Sequence, residues 1–330
     1  MIYADQRWIG NHGIGRFARH VLMDLDYRPV PLNSHPAAPL DSWFLARALR
    51  KLEGTDLFFS PGYNTPLSCP APFVFTIHDL THIYCPESSR PQIQLYYSTV
   101  MKRACRRAAR VLTISDFTRN QIIAWSGVSP ETVVSVAIGV DLAFRPEGES
   151  YELPFPFLLA VSNRKPHKNE FRIVQAFAKA NLDSHIHLVF TGKPTSELAR
   201  WIEAQGVRPR VEFVGMVPEH RLPSLYRRAT ALIFPSLYEG FGLPIVEAMA
   251  CGTPVLTSNI TAMPETAGDA ALFVDQRSVE QIANGMEQIV KDNFLRQRMR
   301  EQGLARAARF SWSESCSQVR RLLAESMINA

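Results

Sequence analysis

The sequence has no apolar run longer than a strand. The longest, such as Phe73-Val74-Phe75 and Phe155 to Val161, fall far short of the roughly 20 residues that a membrane-spanning helix needs. No charged-then-apolar segment opens the chain, so no secretory leader is expected. Cysteine is scarce and scattered: Cys69, Cys85, Cys105, Cys251 and Cys316 include no C-x-x-C pair. An odd count at irregular spacing argues against a disulfide framework or a zinc site, and a reducing cytoplasm is the simplest home. Internal repeats and low-complexity tracts are also missing. With 46% hydrophobic and 20% charged residues, the composition excludes a disordered chain, a fibre and a coiled coil. A length of 330 residues suits about two domains of roughly 150 residues each.

Acidic residues are slightly outnumbered, 31 against 36 basic ones, for a net charge of +5. The excess is mild but local: Lys102, Arg103, Arg106, Arg107 and Arg110 lie close together. A solvated helix face would account for them, as would contact with anionic lipid headgroups or a phosphorylated acceptor. No zinc-finger, RRM-like or basic-zipper signature accompanies the cluster, so no nucleic-acid partner is expected.

Short apolar runs alternate with amphipathic stretches along most of the chain. In the first half, strands are expected at Ile2–Ala4, Asp56–Phe59, Phe73–Ile77, Val111–Ile114 and Val133–Val136. A glycine loop at Asn11–Arg16 leads to a helix over Phe17–Leu25, and Ile93–Ala109 reads as one long helix with the basic residues on a face. Ser115 caps a helix over Phe117–Ala124, its hydroxyl accepting a first-turn amide bond. Between Ala143 and Pro156, Gly, Glu, Ser and three prolines give the composition of a linker. The alternation then restarts, with strands at Phe157–Val161, Ile186–Thr191, Val211–Val214, Ala231–Phe234 and Val255–Thr257. Helices are expected near Glu170–Ala180, Glu197–Gln205, Leu222–Ala229 and Pro244–Ala250. Such alternation implies parallel sheets covered on both faces. The expected class is α/β, with two doubly wound Rossmann-like domains, 1–150 and 151–310, whose strand ends face across a cleft. A last helix, 311–330, is free to cross back to the first domain.

The densest segment is Ser236–Thr257, SLYEGFGLPIVEAMACGTPVLT. Glu239 precedes Gly240-Phe241-Gly242, and Pro244 suits the first helical position, where a missing amide hydrogen costs nothing. Gly252 ends that helix in a left-handed cap. A glycine loop thus delivers the chain into a helix N-terminus, whose unpaired amides and dipole favour a phosphate. Glu239 and Glu247 bracket the loop. A carboxylate accepts two hydroxyl hydrogen bonds at once, which suits a vicinal diol. The pair could hold the ribose of a nucleotide and a hexose on either side of a diphosphate.

Glu-x7-Glu in the form E-G-F-G-L-P-x-x-E-A-M-A-C-G-T-P-V resembles the donor-site signature of family 4 glycosyltransferases, retaining enzymes of the GT-B fold. Other segments extend the resemblance over nearly the whole chain. Asn11-His12-Gly13-Ile14-Gly15-Arg16 is similar to the family's N-terminal glycine loop, and Thr76-Ile77-His78-Asp79-Leu80 to the His segment of its mannosyltransferase-like branch. Thr113–Asp116 and Gly139–Asp141 resemble further landmarks, Val161–Asn169 the phosphate-binding turn that opens the second domain, and Ser258–Asp269 the segment after the donor helix. Phe310-Ser311-Trp312 resembles the start of the last helix.

The resemblance implies a catalytic role for His78 and Glu239. It implies donor contacts from Gly13, Gly15, Arg164, Lys168, Glu239, Gly240, Phe241, Gly242, Leu243 and Glu247. Glu239 would hold the transferred sugar, Glu247 the ribose diol, and Lys168 the diphosphate, neutralising charge that grows as it leaves. Arg164 would assist; many relatives carry an arginine directly after the glycine of G-R-x-x-x-x-K, whereas Ser162-Asn163 stands in that stretch here, which leaves open which cation partners Lys168. Glu265 lies in a loop where relatives complete the donor site. Arg16 and Asp79 are candidates on the acceptor side.

No metal site is expected. The one Asp-x-Asp, Asp24-Leu25-Asp26, falls at a helix end, and His185-x-His187 lies before or within a strand. Lysine, arginine and a helix dipole would take the place of a divalent ion. The expected activity is transfer of a hexose, best matched by mannose from GDP-mannose, onto a glycan or polyprenyl-diphosphate-linked acceptor in surface-polysaccharide or lipopolysaccharide synthesis. The nucleotide sugar is substrate, and no cofactor is expected. The location implied is cytoplasmic, with the basic helix as a contact for the anionic inner membrane surface. UDP-glucose or another nucleotide sugar, a GT-B phosphorylase or epimerase, and a non-catalytic nucleotide-sugar or membrane-surface binder remain as alternatives.

Overall fold

A computed structural model describes residues 1–36, 38 and 40–328. The chain divides into two compact units, Met1–Gly139 with Ser311–Ala330, and Val140–Phe310. Each is built on a six-stranded sheet whose strand pairs are all parallel.

In the first unit the strands are β1 (Ile2–Ala4), β2 (Arg28–Pro29), β3 (Leu57–Ser60), β4 (Phe73–Thr76), β5 (Arg110–Thr113) and β6 (Val133–Ser135). Their order is β2-β1-β3-β4-β5-β6. Every residue of β3 and β4 is buried, as expected of parallel strands covered on both faces, where side chains of either parity must be apolar. Phe58, Phe75, Ile77, Val111, Leu45 and Tyr97 meet in the core of this unit. The winding reverses between β1 and β3, and loops at such a reversal open a crevice at the strands' carboxyl ends.

The second unit has β7 (Phe157–Ala160), β8 (His187–Phe190), β9 (Val211–Phe213), β10 (Ala231–Phe234), β11 (Val255–Ser258) and β12 (Leu272–Val274), in the order β12-β11-β10-β7-β8-β9. Its reversal lies between β7 and β10. The two segments that leave those strands are the Val161–Asn169 turn and the Glu239 loop.

Three sequence expectations are corrected. First, the glycine segment is not a loop ahead of a helix at Phe17: the helix is Gly13–Met23, so Gly13 and Gly15 form its first turn. The His12 ring caps it, Nδ1 accepting from the Gly15 amide at 3.1 Å. Gly15 is required by packing, because a Cβ there would fall 2.5 Å from the Gly10 carbonyl oxygen.

Second, the basic run is not one helical face. A helix at Pro91–Tyr96 passes through a π-helical turn, Tyr97–Met101, into a short helix that ends at Cys105. The π turn inserts an extra residue and shifts the face that follows. Arg106 Nε donates to the Ser126 carbonyl at 2.9 Å, Arg107 to Leu67 at 2.8 Å, and Arg110, already in β5, to Ala109 at 2.9 Å.

Third, the linker-like segment is lashed to the second unit. Arg227 donates to the carbonyls of Arg145 and Glu149, Arg228 to those of Leu153 and Phe155. Both arginines lie on the helix Leu222–Arg228.

The last helix, Trp312–Ile328, packs within the first unit. Trp312 stacks on His20 with centroids 4.2 Å apart, Arg320 pairs with Asp24 at 2.6 Å, and the Ala137 amide donates to Gln318 at 2.8 Å. Asp24 is therefore a helix-end residue with an ion-pair partner. Gly139 makes the close approach to this helix: a Cβ there would lie 2.3 Å from the Trp312 nitrogen. Gly139→Ala should cost about 1–3 kcal/mol, the range for overpacking, whereas Gly54→Ala, with nothing within 4 Å of the added carbon, should be close to neutral. Equal urea midpoints for the two variants would contradict this packing.

Candidate active site

The second unit's reversal point is built from two turns tied together. After β7 the chain places Arg164 and Asn169 in left-handed backbone, φ 63° at each. A short 3-10 turn, Pro166–Lys168, lies between them. Asn169 tolerates that conformation better than most residues, and its buried side chain has a second duty. The amide nitrogen donates to the carbonyls of Pro235 at 2.8 Å and Gln276 at 2.7 Å. The Leu237 amide donates to the His167 carbonyl at 2.7 Å. The β7 turn and the β10 loop are thereby held as one piece.

On this frame Lys168 Nζ lies 2.6 Å from Glu239 Oε1. Each side chain is 13% exposed, and the ammonium sits 4.9 Å from the centre of the Phe234 ring. The Glu239 amide donates to Thr261 Oγ1 at 3.3 Å, and Thr261 itself holds a left-handed backbone, φ 56°. Three residues beyond Glu239, Gly242 has φ 95°, a conformation that costs a glycine little. It opens the helix Leu243–Ala250, which has no side-chain cap; Pro244 has no amide hydrogen and the Ile245 amide donates to the Gly242 carbonyl at 2.9 Å, so the suitability for an anion rests on the Leu243 amide and the dipole. Leu243 is the first helical residue and Pro244 the second, one place later than the sequence reading. Gly240, Phe241 and Gly242 are buried. Phe241 is fixed by its carbonyl, which accepts from Thr266 Oγ1 at 2.5 Å, and by its ring against Phe310.

Glu247 lies farther along the helix and is 1% exposed. The Tyr226 hydroxyl donates to its Oε2 at 2.7 Å, and the Tyr226 carbonyl accepts from Thr253 Oγ1 at 2.7 Å. A buried carboxylate needs such a donor.

Arg164 is placed differently from Lys168. Its guanidinium pairs with Glu170 and donates to the carbonyls of Thr191 and Lys193. It also lies over the rings of Phe190 and Phe213, at 5.4 and 5.3 Å. Burial pushes its pKa down to about 10. These contacts brace the turn that carries Lys168. Glu265 is in the short helix Met263–Ala267, where Arg306 bonds its carbonyl.

In the first unit His78 follows β4 and is buried, its ring edge-on to Phe17 at 5.1 Å. Nε2–H donates to the Pro61 carbonyl at 2.9 Å, since a carbonyl can only accept. Nδ1 therefore carries the lone pair of the neutral ring. Burial lowers the His78 pKa below its ordinary value, against the opposing pull of Pro61 and Asp79. Burial and neighbouring Arg16 lower that of His12 as well. Burial alone would raise the Asp79 pKa, but hydrogen bonds from Thr81 outweigh it and hold it low. One of these is the Thr81 amide on Asp79 Oδ1 at 2.7 Å. Arg16 lies in the first turn of the Gly13–Met23 helix, its amide bonded to the His12 carbonyl at 2.8 Å.

Sequence reasoning missed Asn169, Thr261, Tyr226 and His12. Asn169 carried a signal, standing between Lys168 and a helical stretch where capping residues gather. Tyr226 carried none, because it meets Glu247 only through the fold. Among the described residues there is no group of three or more His, Cys, Asp or Glu that could hold a metal ion, and no helix is long and apolar enough to cross a membrane.

The chain thus has two doubly wound units, the second with a lysine, a glutamate and an uncapped helix at its reversal point. A family model described as "Glycosyl transferases group 1" matches residues 148–306, and one described as "Glycosyltransferase Family 4" matches residues 11–144. The chain belongs to the family 4 glycosyltransferases. It is 31% identical over 258 residues to O-antigen chain mannosyltransferase B of Escherichia coli, covering 74% of this chain and 68% of that one. It is 29% identical over 255 residues to O-antigen chain mannosyltransferase RfbU of Salmonella typhimurium, covering 75% and 69%. The serotype-specific mannosyltransferase WbdA of Escherichia coli is 28% identical over 261 residues, 73% of this chain but only 32% of that protein. Among solved structures, Anabaena HepE, determined with UDP and glucose, superposes with a TM-score of 0.75 at 17% identity, covering 98% of this chain and 99% of the other. WaaG, a glycosyltransferase involved in lipopolysaccharide biosynthesis, gives 0.74 at 16%, with the same coverage.

Buried His78 and the more exposed His12 set a pH dependence. Below about pH 6.5, the ordinary histidine value, the unfolded chain takes up protons that His78 and His12 resist in the fold, so stability falls as pH drops. The urea midpoint should decline between pH 7 and pH 5. His78→Gln, whose amide can still donate to Pro61, should flatten part of that decline; a wild-type midpoint that does not move would refute it.

Proposed function

We propose that this glycosyltransferase moves mannose from GDP-mannose, with retained anomeric configuration, onto a glycan or polyprenyl-diphosphate-linked acceptor of a surface polysaccharide. The observation that carries the reading is the Lys168–Glu239 pair at 2.6 Å, beside the uncapped start of Leu243–Ala250. That arrangement brings a cation and a helix dipole for a diphosphate, and a carboxylate for sugar hydroxyls, together from two adjoining turns. Mannosyltransferases among the relatives support the choice of sugar.

In the proposed step the bond from the anomeric carbon to the donor phosphate breaks while the acceptor oxygen bonds to that carbon from the same face. The departing diphosphate takes the acceptor's proton. Lys168 and the dipole of the Leu243–Ala250 helix offset the charge that builds on the leaving group, without a metal or other cofactor. Glu247, oriented by Tyr226, accepts from the ribose diol. His78 joins the transfer on the resemblance of its segment. Nε2–H is committed to Pro61, so Nδ1 is the atom that can accept a hydrogen bond from a donor or acceptor hydroxyl.

Peripheral attachment to an anionic membrane is part of the proposal, and the helix Asp41–Leu49 supports it better than the basic run does. Leu45 and Leu49 are buried, while the outer face exposes Trp43 and Phe44, followed by Arg47, Arg50 and Lys51. Exposed Leu67 adjoins this helix through its amide bond to Ser42. Aromatic side chains beside cations suit the headgroup region of an anionic bilayer.

Two measurements test this reading. In a thermal-shift panel, GDP and GDP-mannose should raise the melting temperature more than UDP, ADP or their sugars, because a ligand of the folded state alone stabilises it. A selective response to UDP would replace the donor. Glu239→Ala, His78→Ala and Lys168→Ala should each lower mannosyl transfer by at least about 10²-fold, the scale for losing a transition-state contact, measured below the lowered melting point that loss of a buried ring or of one partner of a desolvated pair brings; wild-type turnover in any of them removes that residue from the site. Separately, Trp43→Ala with Phe44→Ala should abolish flotation with phosphatidylglycerol vesicles, and flotation unaffected by the change would remove that face from the proposal.

A further inference from the structure

We infer that the Lys168–Glu239 ion pair is a resting contact that the donor exchanges for its own groups, and that this exchange makes the site prefer a sugar-bearing nucleotide over the bare nucleoside diphosphate product. The inference rests on the proposed donor-site reading and deepens it.

The two groups assigned to different parts of the donor are bonded to each other. Lys168 Nζ and Glu239 Oε1 are 2.6 Å apart and each side chain is 13% exposed. Beneath the ammonium lies the Phe234 ring. Water can therefore replace a lost partner only poorly, and each charge depends on the other. The frame does not relax to help: Asn169 fixes the Lys168 turn to Pro235 and Gln276, while Thr261 holds the Glu239 amide.

A diphosphate that draws Lys168 away leaves the Glu239 carboxylate without its cation and next to new negative charge. A hexose attached to that diphosphate repairs the loss, because its hydroxyls donate to the carboxylate. The bare diphosphate has nothing to offer Glu239. It meets the full cost of breaking the pair, and once the sugar has left, the pair re-forms and helps expel the product.

The test is a double-mutant cycle read by calorimetric titration with GDP, and with UDP in parallel. Glu239→Gln, which abolishes the competition for Lys168, should tighten GDP binding by about fivefold to tenfold, the scale of one partly buried charge pair, even though the same variant loses transfer. The gain should disappear when Glu239→Gln is made in a Lys168→Met background and persist in a Lys168→Arg background. Affinity for GDP-mannose should not improve in Glu239→Gln, so the donor-to-product preference collapses. An unchanged or weaker GDP affinity in Glu239→Gln overturns the inference. So does an equal gain in the Lys168→Met background, which would show only removal of a negative charge from the neighbourhood. Wild-type protein that binds neither GDP nor UDP overturns the donor-site reading itself, and the exchange with it. Melting curves of each variant establish that the titrations report on folded protein.

Discussion

One buried amide makes the site possible. Asn169, in a left-handed backbone and bonded to carbonyls from two other segments, joins the turn after β7 to the loop after β10. Parallel strands deliver these two turns to the same edge only because the winding reverses there. Without that junction, a lysine on one turn and a glutamate on the other would be two surface side chains with little reason to meet. With it they form a desolvated pair whose geometry comes from the backbone. Arg164 contributes from the other side of the turn, where its guanidinium is absorbed by Glu170 and nearby carbonyls.

The first unit uses the same architectural rule with different chemistry. Its carboxyl-end loops hold His78 against Pro61 and Phe17 and begin a helix at Gly13 under a histidine cap. Burial disfavours protonation of His78, while the buried charges of this unit are paired with one another, Arg7 with Asp5 and Asp41. The second unit places its Lys168–Glu239 pair at the reversal point of its sheet.

Much of this was legible in the sequence because parallel strands write themselves as unbroken apolar runs. Ile2–Ala4 and Ala231–Phe234 are strands over the residues expected, and most of the others shift by a residue or so at their ends. The Glu239–Glu247 block was legible because glycine and proline fix backbone geometry locally. What failed was non-local or unconventional. Histidine is not among the favoured capping residues, so His12 hid a helix start. A π turn broke a periodicity that looked continuous across Ile93–Ala109. The helix Asp41–Leu49 went unread because Trp43 and Phe44 on its outer face blur the apolar stripe. The proline-rich stretch before β7 has a linker's composition, yet Arg227 and Arg228 satisfy its carbonyls. No pattern in a single sequence announces such a match.

The first unit is discontinuous, and that bears on how the protein is made. Its last helix, 17 residues from Trp312 to Ile328, is translated after the whole of the second unit. Until it emerges from the ribosome, His20, Asp24 and the Ala137 amide lack the Trp312, Arg320 and Gln318 that meet them in the finished fold. The second unit is continuous and can close on itself as soon as it is synthesised. Vectorial synthesis thus favours maturation of the second unit first, with the N-terminal half waiting for its final seal.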